Sequence, residues 1–82
     1  MHIVYAISSI ARSYIYVGMT SNMEARLSRH NRGFEKTTKP YAPFTLLYSE
    51  VCADRISARK REKFWKSGSG KEHLKMLRDS KP

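Results

Sequence analysis

The sequence contains a single cysteine, Cys52, in a chain of 82 residues. One cysteine excludes an intrachain disulfide, and this usage predicts a protein of the reducing cytoplasm. A zinc site built from several thiolates is excluded as well, and the three histidines are too scattered along the chain to form a zinc-binding motif with Cys52. We therefore expect the fold to depend on buried apolar side chains, without a disulfide or zinc crosslink.

Long apolar runs are also missing. No stretch approaches the ~20 apolar residues of a membrane-spanning helix, so no membrane partner is expected. The opening segment MHIVYAISSIARS has neither a basic leader nor a long apolar centre, and therefore does not predict a signal peptide. Together with the cysteine usage, this favours a cytoplasmic location. The length is that of one domain, which we expect to span residues 1–82.

Acidic residues are scarce. Seven Asp and Glu stand against sixteen Lys and Arg, which gives a formal net charge of +9. Such an excess attracts a polyanion, either a nucleic acid or an anionic membrane surface, although a merely soluble basic surface is the simpler alternative. Because the basic residues are spread along the chain, they indicate a folded basic face and not a disordered basic arm.

Strand-forming residues are concentrated in three segments. Each is rich in β-branched or aromatic residues, which fit the surface of a sheet. The predicted strands cover residues 2–8, 14–18 and 44–51. The first two are separated by a short polar link, which predicts an antiparallel hairpin.

Helices are predicted between and after the strands. Ser21 with Glu24 forms a capping box that begins the first helix, and Gly33 is expected to end it. A second helix is predicted from Asp54 to Gly68. A third is expected to begin with the capping box of residues 69 and 72, to carry Leu74 and Leu77 inward, and to fray near Ser80. GSGK, residues 68–71, lacks the glycine spacing of a phosphate-binding loop and is interpreted as a turn between helices.

Two tyrosines, an arginine and a histidine form the first candidate site. Side chains alternate across a strand, so Tyr5 and Tyr16 approach each other on one side of the sheet if the register allows it. On the first helix Arg26 is four residues before His30, which makes them neighbours on the helix surface. His30 also shares a stripe with the apolar residues 23 and 27. Spacing alone leaves two interpretations open: these residues pack the core and carry a solvated charge, or one of them handles a proton.

Glu62 is the most unusual residue of the second helix. At about 100° per residue it falls on the same side as Ala58 and Trp65. A carboxylate beside a tryptophan on the inward edge of a helix costs free energy unless a positive group meets it. A neighbouring Arg or Lys can be that group. Alternatively, Glu62 faces a cleft and holds a divalent cation, since hard cations prefer carboxylate oxygen.

The ordered set of these features resembles the GIY-YIG nuclease family. The first motif of that family corresponds to IVY, residues 3–5, and the second to YVG, residues 16–18. The segments YVGMTSNMEARLSRHNRG and ARKREKFWKSGSGKEHLK are similar to small stand-alone bacterial members, and the resemblance covers nearly the whole chain. It implies an α/β (α+β) fold, with a three-stranded antiparallel sheet flanked by helices.

The resemblance also implies an activity and its residues. Members of the family hydrolyse one DNA strand with one divalent metal ion, Mg²⁺ or Mn²⁺, and some act in DNA repair. The implied catalytic residues are Tyr5, Tyr16, Arg26, His30 and Glu62, with Glu62 as the metal ligand. Tyr5 is the expected proton acceptor, Tyr16 is expected to hold the water or the phosphate, Arg26 to bind a phosphate oxygen, and His30 to assist or orient.

The chain departs from the family pattern at two places. The first motif has no glycine and carries Val4 in place of isoleucine, and the segment KEHLK lacks the asparagine with which several relatives complete the site. Tyr14 matches no catalytic position and is predicted to pack. Because the 82 residues hold no separate DNA-recognition domain, we expect DNA shape, a protein partner or dimer formation to supply specificity. The alternative function is a non-catalytic nucleic-acid-binding module of a larger repair assembly.

Overall fold

The computed structural model describes residues 1–80, so Lys81 and Pro82, which end the predicted domain, lie outside the described part. The chain forms, in order, β1 His2–Ser9, β2 Ile15–Thr20, α1 Met23–Asn31, β3 Phe44–Cys52, α2 Arg55–Lys66 and α3 Gly68–Ser80. A short 3-10 helix, Lys39–Tyr41, lies in the loop before β3. None of the helices within residues 1–80 is long and apolar enough to cross a membrane.

The three strands form one antiparallel sheet in the order β2-β1-β3, which confirms the predicted fold class. β1 is the central strand, and β2 and β3 are the two edges. Tyr5 pairs with Gly18 and Ile7 pairs with Tyr16 across β1 and β2. On the other side, the register against β3 shifts between Ala6 and Ile7, which leaves Leu47 without a pairing partner. This irregularity explains why the sequence of β3 alternates only partly.

The sheet separates two apolar clusters, because alternate side chains of β1 point to opposite faces. On one face α2 and α3 contribute Ala58, Trp65 and Leu74. These pack on the strand residues Val4, Ala6, Ile15, Val17, Leu47 and Cys52. On the other face α1 and the following loop cover Tyr5, Ile7 and Phe44, with Tyr14, Tyr16, Met23, Leu27, Tyr41, Ala42 and Leu46 packed against them. The tyrosines of both motifs therefore lie on the α1 face, whereas α2 packs on the opposite face.

The cap of the first helix lies one residue later than predicted. Asn22, and not Ser21, caps α1: its side-chain oxygen accepts the N–H of Ala25 at 3.1 Å. The N–H of Asn22 in turn donates to the Thr20 hydroxyl at 3.1 Å, which fixes the turn out of β2 and places Asn22 directly before the first helical residue. Asn caps as well as Ser does, so the geometry of this turn decides between them. The predicted stop is confirmed, since Gly33 has φ = 77°, the left-handed conformation that favours glycine.

The boundary between the last two helices differs from the expectation. Asp54 caps α2 as predicted, and its side chain accepts the N–H of Ser57 at 2.7 Å. However, α2 ends at Lys66 and α3 already begins at Gly68, so neither a stop at Gly68 nor a start at residue 69 is correct. The hydroxyl of Ser67 accepts the N–H of Gly70 at 3.3 Å and takes the capping role predicted for Ser69. Leu74 is fully buried as expected.

Leu77 does not point inward. It is 38% exposed, whereas Leu74, three residues earlier on the same helix, is fully buried. The helix approaches α2 closely at Gly70, which is buried. The direction of Leu77 was therefore predicted wrongly, because helical periodicity does not say how far along a helix the covering layer extends.

The close approach of α2 and α3 at Gly70 predicts a large loss of stability in Gly70→Ala. An added Cβ would lie 2.2 Å from the carbonyl oxygen of Phe64 and 2.6 Å from the Cα of Trp65, both backbone atoms that cannot rotate away. We expect the free energy of unfolding in urea to fall by about 3 kcal/mol, the upper part of the range for overpacked sites. Gly68→Ala is the matched control, since a Cβ there meets nothing within 4 Å. Equal stability of the two variants would contradict this account.

A carboxylate on β3 joins that strand to α2. Glu50 accepts hydrogen bonds from Arg61 at 2.8 and 3.1 Å, from the indole N–H of Trp65 at 2.7 Å and from the hydroxyl of Tyr48 at 3.2 Å. These donors hold the pKa of Glu50 below its usual range, the Arg61 hydrogen bond contributing most. The carboxylate that bonds Trp65 is therefore Glu50, whereas Glu62, on the same helix as Trp65, pairs with Lys66.

Candidate active site

A buried hydrogen-bonded row links the sheet to α1 and to the loop that follows it. A hydrogen bond of 2.8 Å joins Tyr5 Oη to His30 Nε2, and one of 2.7 Å joins His30 Nδ1 to Thr38 Oγ1. Tyr5 and His30 are each 1% exposed and Thr38 is fully buried. The row begins on the central strand, where neighbouring strands hold the backbone on both sides. Both polar atoms of the imidazole are thus satisfied by fixed partners.

Tyr16 lies against this row from the edge strand. Its ring centroid is 6.3 Å from that of Tyr5 and 5.1 Å from that of His30. Tyr16 is half-buried, so it is the more exposed tyrosine of the pair. The expected approach of Tyr5 and Tyr16 on one side of the sheet is therefore observed. Tyr14 instead stacks on Tyr41 with centroids 3.9 Å apart, which is the packing predicted for it.

Gly18 explains how the Tyr5 phenol reaches His30. Tyr5 pairs with Gly18 across the two strands, and a Cβ at Gly18 would lie 2.6 Å from Tyr5 Oη. Because glycine leaves that space empty, the Tyr5 ring lies across β2 with its hydroxyl over the edge strand of the sheet. The glycine of YVG thus makes room for the tyrosine of IVY.

Burial sets the charge states of this row. It raises the pKa of Tyr5 far above its usual value, with Tyr16 adding to the rise and the charge and hydrogen bonding of the adjacent Arg26 opposing it. Burial also lowers the pKa of His30, an effect that Glu35 opposes and that Arg26 and Arg29 reinforce. At neutral pH the row therefore consists of a neutral phenol and a neutral imidazole, with the guanidinium of Arg26 beside them.

The lowered pKa of His30 predicts that acid destabilises the protein before its carboxylates titrate. Unfolded His30 binds a proton near pH 6.5, whereas the buried ring stays neutral to lower pH. Between the lowered pKa of His30 in the folded protein and its pKa in the unfolded chain, the unfolded state holds more protons. The free energy of unfolding therefore falls as the pH falls through this range. The free energy of unfolding is measured in urea at several pH values between 8 and about 5. We expect His30→Gln to flatten this part of the profile, and an equally steep profile in that variant would contradict the assignment.

Glu62 lies in a separate, open cleft. The cleft has a volume of about 380 Å³ and is lined by Met19, Arg59, Glu62, Lys63 and Lys66. The Glu62 side chain is 23% exposed and forms an ion pair with Lys66 at 3.2 Å, a helical pair of small energetic value. Both features foreseen for Glu62, a basic partner and a cleft, are present together.

The structure therefore brings four of the five predicted residues together and places the fifth beside the same strand. Tyr5 and Tyr16 lie on the α1 face, where His30 and Arg26 of α1 meet Tyr5, whereas the Glu62 cleft adjoins Met19 of β2, which belongs to the opposite face. β2 is an edge strand, so one ligand lying along that edge has access to both sides.

Among the described residues that line the cleft, Glu62 is the one carboxylate, and carboxylate oxygen is the ligand type that hard cations prefer. Within residues 1–80 no group of three or more His, Cys, Asp or Glu could hold a metal. This excludes a protein-built zinc cage in that part of the chain. Mg²⁺ keeps several of its waters and is commonly bound by one or two carboxylates together with substrate phosphates. A single partly exposed carboxylate such as Glu62 fits that mode of binding.

Sequence reasoning missed Thr38. It lies in a loop without periodicity, next to a second threonine, and nothing in the local pattern distinguishes Thr38 from Thr37. Only its partners identify it, since its hydroxyl is the one that meets His30. A buried polar residue that is bonded to a predicted site residue is recognisable from the folded chain alone.

Comparisons with known proteins found matches over most of the chain. A family model described as "GIY-YIG catalytic domain" matches residues 1–75. A UPF0213 protein of Staphylococcus haemolyticus is 37% identical over 79 residues, which cover 95% of this chain and 95% of that protein. A UPF0213 protein of Pediococcus acidilactici is 38% identical over 69 residues, or 80% of this chain and 70% of that protein. One of Staphylococcus aureus (strain Mu3) is 32% identical over 79 residues, 95% of each chain. No solved structure gave a significant match.

Proposed function

The chain belongs to the GIY-YIG family, and from that premise we propose that it is a metal-dependent endonuclease that hydrolyses one DNA strand at each site. Membership supports a nuclease-type function in general. The observation that carries the finer proposal is the buried Tyr5–His30 hydrogen bond, with Tyr16 and Arg26 beside it at the edge of the sheet. We further propose that the enzyme acts in the cytoplasm, in DNA repair, with a protein partner or DNA shape supplying specificity.

The charge distribution supports DNA as the substrate. Arg59, Lys63 and Lys66 surround Glu62 in the cleft, so three cations face one carboxylate. The backbone of DNA is attracted to such a surface, and binding is expected to weaken as salt rises because phosphate contacts release counterions. The DNA strand would lie along the outer edge of β2, between this cleft and Tyr16.

Tyr5 and His30 form a path for the proton of the attacking water. The raised pKa of Tyr5 excludes a stable phenolate at neutral pH, so the tyrosine acts as a relay. Its oxygen accepts the proton of the water while its own proton passes to His30 Nε2, 2.8 Å away. The water oxygen then bonds to phosphorus, the bond to the 3′ oxygen breaks, and the leaving oxygen takes a proton from solvent. His30 is able to accept because its lowered pKa keeps it neutral beforehand.

Tyr16 and Arg26 have positioning and electrostatic roles. Tyr16 is half-exposed beside the row, where its hydroxyl can orient the water or the phosphate. Arg26 offers a planar guanidinium that binds a phosphate oxygen and opposes the negative charge that develops on it. Charge arranged in advance in this way is commonly worth about 3–4 kcal/mol per well-aimed group.

Glu62 is the residue that would hold a Mg²⁺ or Mn²⁺ ion. When bound, such an ion stabilises negative charge on the phosphate and on the leaving oxygen. Lys66 pairs with Glu62 in the protein alone and is free to turn toward a phosphate once that carboxylate has another partner. Glu62 would supply the single carboxylate ligand of the ion, and phosphate oxygens of the bound DNA would supply others.

The proposal is tested by a cleavage panel. Labelled single-stranded, nicked, flapped, branched and fully paired DNA are incubated with the protein and Mg²⁺, Mn²⁺ or EDTA. We expect at least one form to be cut with either metal and none to be cut in EDTA, because the remaining groups do not neutralise the leaving oxygen. Cleavage that continues unchanged in EDTA would contradict the metal requirement.

The alternative, a nucleic-acid-binding module without catalysis, is favoured by one observation. The ion pair of Glu62 with Lys66 gives the carboxylate a structural partner that needs no metal. Salt-sensitive DNA binding in the same panel, without cleavage of any form in either metal, would support this alternative and overturn the nuclease proposal.

A further inference from the structure

We propose that Thr38 is a positioning residue that holds His30 in the tautomer with its proton on Nδ1, so that Nε2 faces Tyr5 as an acceptor. The chemical consequence, that the Tyr5 proton moves toward His30, rests on the proposed nuclease function. The tautomer itself does not, since it follows from the hydrogen bonds of the resting protein.

A neutral imidazole has one N–H donor and one acceptor nitrogen. Each ring nitrogen of His30 has one partner, Tyr5 Oη at 2.8 Å and Thr38 Oγ1 at 2.7 Å. Both partners are hydroxyls, which can donate or accept. Two arrangements are therefore possible, with the hydrogen bonds running either from Tyr5 toward Thr38 or in the reverse direction.

The environment of Thr38 decides between them. Its hydroxyl lies 3.4 Å from the backbone carbonyl oxygen of Glu35, which can only accept. If the single proton of Thr38 goes to that carbonyl, the Thr38 oxygen must accept from His30 Nδ1–H, and Tyr5 then donates to Nε2. In the reverse arrangement the Tyr5 proton is left without an acceptor among the partners found within residues 1–80, because Nε2 of His30 would itself donate and the adjacent Arg26 can only donate. An unpaired buried donor costs about 1–3 kcal/mol.

The loop that carries Thr38 is fastened to α1. The N–H groups of Thr38 and Lys39 both donate to the Glu35 carbonyl, at 3.1 and 2.9 Å. Arg29, on the last turn of α1, donates to the Glu35 carboxylate at 3.0 Å. The same helix thus carries His30 and anchors the loop that orients it, which holds Thr38 in place before any substrate binds.

This direction also suits the proton transfer. When His30 takes a proton on Nε2 it becomes an imidazolium, with N–H groups on both nitrogens. Thr38 already accepts from Nδ1–H, so its hydroxyl does not have to turn. In the reverse arrangement Nε2 already carries the proton of the neutral imidazole and could not take one from Tyr5. Groups oriented in advance avoid the cost of reorganisation during the reaction.

Nitrogen-15 NMR of the intact protein, labelled at histidine, tests the tautomer directly. We expect His30 at neutral pH to show a protonated, pyrrole-type Nδ1 and an unprotonated, pyridine-type Nε2. The reverse pattern would overturn the proposal. No cleavage is needed for this measurement, so a protein that cuts no DNA would defeat the proposed function and leave this inference to be decided by the spectrum.

Two substitutions separate positioning from packing. Thr38→Val keeps the shape and removes the hydroxyl, whereas Thr38→Ser keeps the hydroxyl and removes a methyl group. We expect Thr38→Val to lose the Nδ1–H signature and to cleave roughly 10- to 100-fold more slowly, a loss typical of residues that orient a functional imidazole. Thr38→Ser is expected to retain both. An unchanged spectrum in Thr38→Val, or cleavage unaffected by a changed spectrum, would overturn the positioning role.

Discussion

Glu62→Gln is expected to slow metal-dependent DNA cleavage by at least about 10³-fold, or about 4 kcal/mol of transition-state stabilisation. Gln keeps the size of the side chain and removes the charge that attracts a hard cation. The loss should not arise from unfolding, because Glu62 is partly exposed and its ion pair with Lys66 has a small energetic value. Initial rates on the preferred DNA form, at saturating Mg²⁺, measure the effect.

The matched control is Glu72→Gln on α3, which makes the same chemical change at an exposed residue with only a distant ion pair to Lys75. This variant should cleave at the parental rate. DNA affinity in EDTA should be unchanged or slightly higher in Glu62→Gln, since the cleft gains one unit of positive charge. If Glu62→Gln kept cleavage within tenfold of the parent, Glu62 would not be the metal ligand.

Tyr5→Phe is expected to slow cleavage by about 10²–10⁴-fold, the range for losing a positioned proton-transfer group. The ring and its packing remain, but the oxygen that accepts the proton of the water is lost. His30 Nε2 also loses its partner, which costs about 1–3 kcal/mol of stability in a buried site. Rates should therefore be measured at a temperature at which urea unfolding shows the variant to be fully folded.

Tyr14→Phe is the control for this change, since it removes the same hydroxyl from a tyrosine that stacks on Tyr41 and takes no part in the His30 row. We expect Tyr14→Phe to cleave at the parental rate. Parental cleavage by Tyr5→Phe would show that another group, with Tyr16 as the nearest candidate, accepts the proton.

Features that depend on local pattern were predictable from the sequence. The strands, the order of the elements and the shared face of Tyr5 and Tyr16 follow from alternation and residue type, and all are observed. The stripe that carries His30 is also observed, because helical spacing alone decides which residues of α1 face the sheet. The end of α1 at Gly33 was predictable because glycine favours a positive φ.

Features that depend on distant partners were not predictable. Glu50 meets Trp65 across fifteen positions, so no spacing within α2 could indicate this partner. Thr38 reaches His30 because its loop folds back onto α1, and the sequence of that loop has no periodic pattern. The junction of α2 and α3 depends on the close approach at Gly70, and only the packed helices show which serine caps the second of them.

The empty space at Gly18 makes two positions on different strands interdependent. The Tyr5 side chain fills the space that a side chain at position 18 would need. A larger residue at 18 is therefore tolerated only if residue 5 is smaller or its ring turns aside. A ring that turns aside would leave the imidazole without its phenol. An alanine there would consequently damage the chemistry and the packing by the same displacement, and a smaller residue at position 5, across the strand pair, would restore the packing alone.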